Sequence, residues 1–123
     1  MLLLLLQACS KSDDLYFTEI IVGSWTLDHY EVAGADAEQD VKVLLDRLVI
    51  TADGHFTLYY PEGDSEGGDY EAGDDYLRLD YTDQAGNLLH ILLEVLSVDD
   101  NAVSLRYKDP DYDVSVTIYL HRQ

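Results

Sequence analysis

The sequence predicts an all-β fold: a single closed, eight-stranded, antiparallel up-and-down β-barrel, with room for one short helix. Three observations point there. Runs of alternating apolar and polar residues recur at close spacing, as in a sheet with one buried face. Turn pairs such as Asp53-Gly54 and Gly86-Asn87 separate them, and Asp-Gly between alternating residues is the strongest short-range hairpin signal. Most connections are short, which favours a meander that removes its edges by closing.

The strands follow in order after a short segment at Leu15–Ile21. The first run is Val22–Val32 and the second Arg47–Thr51, which turns at Asp53-Gly54 into the third, His55–Tyr60. The glycine- and acid-rich stretch Pro61–Gly68 reads as a loop before a weak fourth strand at Asp69–Ala72. The fifth is Tyr76–Thr82, the sixth Leu88–Val98, the seventh Ala102–Lys108 and the eighth Val114–Arg122. Ala37–Leu48 carries Val41, Leu44, Leu45 and Leu48 at helical spacing, so a short helix or an irregular loop joins the first two strands.

Alternation also assigns the faces. Trp25 and Leu27, Leu48 and Ile50, Phe56 and Leu58, Leu77 and Leu79, Val103 and Leu105, and Val116, Ile118 and Leu120 share the inward parity. The sixth strand is apolar on both sides. Leu89, Ile91, Leu93 and Val95 are assigned inward; Leu88, Leu92 and Leu96, interleaved with His90 and Glu94, are assigned outward and need a cover.

The N-terminus carries a different signal. Leu2–Leu6 is an unbroken leucine run, too short to cross a bilayer and placed like a signal peptide. Leu6-Gln7-Ala8-Cys9 resembles the lipobox of bacterial lipoproteins. That resemblance implies a signal peptide over residues 1–8 and acylation of Cys9, the only cysteine, which has no disulfide partner. Acyl chains there would anchor the protein in a membrane. Ser10-Lys11-Ser12-Asp13-Asp14 resembles the acidic export signal of Bacteroidetes lipoproteins, implying the outer membrane and a surface-exposed place in the cell envelope. Residues 9–21 then form the acylated cysteine and its tether, and 22–123 the barrel domain.

Gly23-Ser24-Trp25 resembles the Gly-x-Trp motif of the lipocalins. With Asp53-Gly54, Gly68 to Tyr70, Leu77 to Leu79 and a final strand ending in Arg122, the chain is similar to the short lipocalin-like lipoproteins of the Bacteroidetes. The resemblance implies a calycin-like barrel whose closed end is plugged by Trp25 stacked against an arginine. Arg122 is the candidate, because it shares the inward parity and its strand finishes beside Trp25.

The opposite, open end gathers the candidate ligand-binding residues. Tyr60, Tyr81 and Tyr107 end the third, fifth and seventh strands, Tyr112 sits in the last loop, and His29, with Glu31, lies on the inward parity of the first strand. Tyrosine joins an apolar face to a polar tip, which suits a small apolar or glycan-type ligand. Tyrosines that merely cap a filled core would fit the same pattern. In that case the barrel acts through its outer surface, as a protein-interaction or inhibitor module.

Composition excludes other classes. A net charge of −18, from 25 acidic against 7 basic residues, repels nucleic acid and anionic lipid. The four histidines lack metal-ligand spacing. Asp109, Asp111 and Asp113 alternate like part of a calcium loop but lack its glycine and terminal glutamate; the acids Asp64, Glu66, Asp69 and Glu71 read as a solvated cluster. No nucleophile elbow or phosphate loop is present, so neither an enzyme nor a cofactor is expected.

Overall fold

A computed structural model describes residues 16–34, 45–82 and 85–123. The lipobox with Cys9, the acidic stretch behind it and most of the segment with helical spacing lie outside the described residues. Eight strands close into an antiparallel barrel in strict sequence order: β1 (Gly23–Ala33), β2 (Arg47–Ile50), β3 (His55–Tyr59), β4 (Ser65–Ala72), β5 (Tyr76–Thr82), β6 (Leu88–Val98), β7 (Ala102–Lys108) and β8 (Ser115–Arg122). β1 and β8 complete the ring through a register running from Trp25↔Arg122 to Ala33↔Ser115.

Strand alternation builds the core as expected. Trp25, Leu48, Ile50, Phe56, Leu77, Leu79, Leu93, Val103, Leu105 and Leu120 are buried together. The outer face of β6 leaves Leu88, Leu92 and Leu96 exposed.

Four features depart from the sequence reading. β4 begins at Ser65, so half of the expected Pro61–Gly68 loop is strand. Its glycines have a packing reason: a Cβ on Gly67 would meet the Phe56 carbonyl, and one on Gly68 the Asp80 backbone. Close strand approach, not β-propensity, decides those positions.

The second departure is a register shift in β1 between Leu27 and His29. Asp28 is the extra residue of this β-bulge, and such an insertion reverses the parity beyond it. Tyr30 and Val32, opposite Ile118 and Val116, therefore face inward.

Third, the barrel domain starts before residue 22. A single helical turn, α1 (Phe17–Ile20), buries Phe17 and Ile20, and Ile21 behind it is fully covered. These residues plug the barrel and are not tether. Fourth, the helical spacing over Ala37–Leu48 ends in strand: Leu48 belongs to β2, and Leu45 packs against the core.

Candidate functional site

The two barrel ends differ in construction. At the closed end, the Trp25 indole Nε1 donates to the Ile21 carbonyl at 2.8 Å. The Arg122 guanidinium lies over the Trp25 ring, 4.4 Å from its centroid. It donates from Nη2 to the Ile20 carbonyl (2.7 Å), from Nη1 to Val22 (3.2 Å) and from Nε to Asp100 (2.8 Å). One side chain thus joins α1, the start of β1 and the β6–β7 turn. Gly23 makes room for it: its φ is +142°, and a Cβ there would collide with the guanidinium. The first residue of the Gly-x-Trp motif is explained by the arginine at the far end of the chain.

At the open end, Tyr60, Tyr81 and Tyr107 are half-buried around the rim. Tyr81 packs edge-to-face on Phe56, with ring centroids 6.3 Å apart. The Tyr60 hydroxyl donates to Glu66 Oε1 at 2.5 Å. Burial, aided by this bond and the nearby carboxylate, pushes the Tyr60 hydroxyl well above its ordinary value. Burial also raises Tyr107, followed by the fields of Asp109 and Asp111. Tyr112 is exposed in the β7–β8 loop. That loop is organised by Asp109, whose carboxylate accepts the backbone N–H groups of Asp111 (2.8 Å) and Tyr112 (3.1 Å). Among the described residues no three His, Cys, Asp or Glu side chains are grouped to hold a metal ion.

The expected inward position of His29 is corrected. Beyond the Asp28 bulge it pairs with Tyr119 on the outer wall and stacks on that ring at 4.3 Å. Glu31 is outside too, accepting the Tyr119 hydroxyl at 2.8 Å. Glu66 moves the other way. It pairs with Leu58 and so faces the interior mouth, although the acid-rich stretch around it reads as solvated loop. The signal for this was present: Glu66, Gly68, Tyr70 and Ala72 share one parity.

A cleft of about 530 Å³ runs along the outer wall, from Asp75 and Tyr76 at the β4–β5 turn, past Leu92 and Arg106, to Tyr107 and Pro110 near the rim. Its origin is a gap in the strand ladder. β6 stays paired with β5 up to Leu88, and β7 with β8 up to Lys108, but the β6–β7 register stops at Glu94↔Arg106. The wall opens above that pair. Leu93 and Tyr107 line it from the inward face, His90, Leu92 and Arg106 from the outward face. The Arg106 guanidinium is held by Glu94 at 2.7 Å, and no described carboxylate is in ion-pair range of Lys108, which also lines the cleft.

No family model matches this chain, and no curated protein matches it at a significant level. Among the described residues no helix is long and apolar enough to cross a membrane, which says nothing about β-strands.

Proposed function

We propose that this chain is a lipocalin-like lipoprotein of the cell envelope, held in the outer membrane by acyl chains on Cys9 and facing the cell surface. Its barrel binds one small apolar or glycan-type ligand at the open end, without catalysis. The observation carrying this reading is the cleft between β6 and β7. At about 530 Å³ it lies in the range of small-molecule sites, about 300–1,000 Å³. Tyr107 belongs to both the interior rim and the cleft, so a ligand there touches the core-facing side of the wall as well as the solvent-facing side. Leucine and proline supply apolar area; Tyr107, His90 and the Arg106–Glu94 pair supply polar orientation.

The test is native mass spectrometry of the protein purified from its own envelope, followed by the same measurement on Tyr107→Ala and Tyr81→Ala. A reproducible small molecule lost in Tyr107→Ala supports the reading. Retention in both variants sinks it. The anchor is tested separately with Cys9→Ser, which should release the protein from the membrane fraction.

A second reading is favoured by the uncovered leucines of β6. A filled barrel that acts through its outer wall, as a protein-interaction or inhibitor module, would present such a face.

A further inference from the structure

The outer face of β6 carries Leu88, His90, Leu92, Glu94 and Leu96 in that order. Hydropathy is arranged symmetrically about Leu92. A leucine lies four residues away on each side, with a histidine between on one side and a carboxylate on the other. Leu88, Leu92 and Leu96 are 63%, 59% and 43% exposed, and a bulge between Val95 and Ser97 accommodates the last of them. Over two residues a strand advances about 6.8 Å, so the row extends about 27 Å. Its middle residues, His90, Leu92 and Glu94, also line the cleft.

We infer that this face docks a second copy of the chain, β6 against β6 in antiparallel sense, about a two-fold axis through Leu92. The inference rests on the second functional reading and names its partner. An axis lying in the interface and perpendicular to the strands sets Leu92 on its own copy, Leu88 on the partner's Leu96, and His90 opposite the partner's Glu94. An axis along the strands would instead put Glu94 against Glu94, a like-charge contact. Charge therefore selects the antiparallel arrangement, and the contact closes as an isologous dimer.

The side chains flanking the axis are already held in place. His90 Nδ1 donates to Asp80 Oδ1 at 2.6 Å, and in the imidazolium form Nε2–H is left to donate to the partner's Glu94. Glu94 Oε1 is bonded by Arg106, leaving Oε2. Arg78, paired in register with Leu92, is tied to Glu71 at 3.0 Å and Asp80 at 3.2 Å, so the axis brings no uncompensated cation to the interface. Opposing the contact is the charge of −18 on each copy. That repulsion is long-ranged and screened by salt, whereas leucine burial is not.

Sedimentation velocity of the purified chain across a concentration series tests this, at about 0.15 M and about 0.5 M salt. A concentration-dependent dimer that tightens at the higher salt is expected. Leu92→Glu places two carboxylates on the axis and should weaken the dimer about a hundredfold or more, while Ala52→Ser, in the β2–β3 turn across the ring from β6, leaves it intact. His90→Glu should weaken it about tenfold, and adding Glu94→Lys to that variant should restore it. All four positions are exposed, and an unchanged circular dichroism spectrum checks folding. A monomer under every condition, a dimer indifferent to Leu92→Glu, or no recovery in the double variant overturns the inference. If a monomer's leucine row instead cross-links to a different envelope protein, the second copy is overturned and the interaction-module reading stands; with no cross-link of any kind, both fall.

Discussion

At the closed end, Trp25 and Arg122 direct their polar groups to backbone carbonyls beside a buried core; at the open end, Tyr60 is bonded to Glu66, Tyr81 packs on Phe56 and Tyr107 lines a cleft. The first end is a structural lock; the second is the end to which the proposed function assigns recognition. The contrast follows from the meander. Three tight turns and the C-terminus gather at one end, where α1 adds a plug. The other end receives the long connections, and there β6 and β7 separate. A barrel of eight strands has little interior to spare, and Trp25, Phe17 and Ile21 fill one end of it, whereas the opposite rim keeps half-buried tyrosines and a gap in the wall.

Substitutions that attack the lock should have the largest effects on stability. Trp25→Ala removes the largest fully buried side chain and should cost about 3–5 kcal/mol, read as a lower urea midpoint. Arg122→Ala leaves the carbonyls of Ile20, Val22 and Asp100 without their donor and should cost about 2–3 kcal/mol. Arg122→Lys should recover less than half of that, since a point ammonium cannot reach three acceptors and stack on the indole at once. Recovery of full stability by lysine would show that charge, not the guanidinium fork, matters. At the rim, Tyr107→Ala should change stability by about 1 kcal/mol or less, the opposite balance to the closed end. If it unfolds the protein as Trp25→Ala does, the division into lock and recognition surface is wrong.

Two titrations sharpen the comparison. Asp80 on the outer wall is held below its ordinary value of 3.8, chiefly by the His90 hydrogen bond, with desolvation opposing and Arg78 assisting. A lowered carboxyl contributes stability that is complete above pH 3.8 and disappears as the pH falls through its folded-state value. Asp80→Asn should therefore flatten the acid limb of the stability curve below about pH 4. Tyr60 has the opposite sign. Its raised hydroxyl makes no difference below the ordinary value of 10.0, and stability falls as the pH rises beyond it. Tyr60→Phe should reduce that alkaline loss, as measured by urea unfolding at a series of high pH values.

Much of this architecture was readable from the chain. Six of the eight strands follow from alternation, because a buried face demands apolar residues every second position; the weak fourth and the sixth, apolar on both sides, do not. The closed-end pair was readable because motif, parity and strand direction all brought Arg122 to Trp25. The rim tyrosines were readable on the same grounds. His29 was misplaced because one unpaired residue, Asp28, reverses every side chain beyond it, and nothing in the local sequence announces a bulge. Glu66 was misplaced because serine, glycine and aspartate around it have weak β-propensity, while the contacts that make them strand come from Phe56 and Asp80.

By itself, then, the sequence determined the strand order, the inward parity of most strands and the two unlike ends, since these depend on local periodicity and turn chemistry. Only the tertiary structure decided that α1 belongs to the barrel, that Gly23 yields its Cβ space to Arg122, and that the wall opens between β6 and β7. Each of these depends on atoms brought together from distant parts of the chain, and on where a hydrogen-bond ladder stops, which no local pattern encodes.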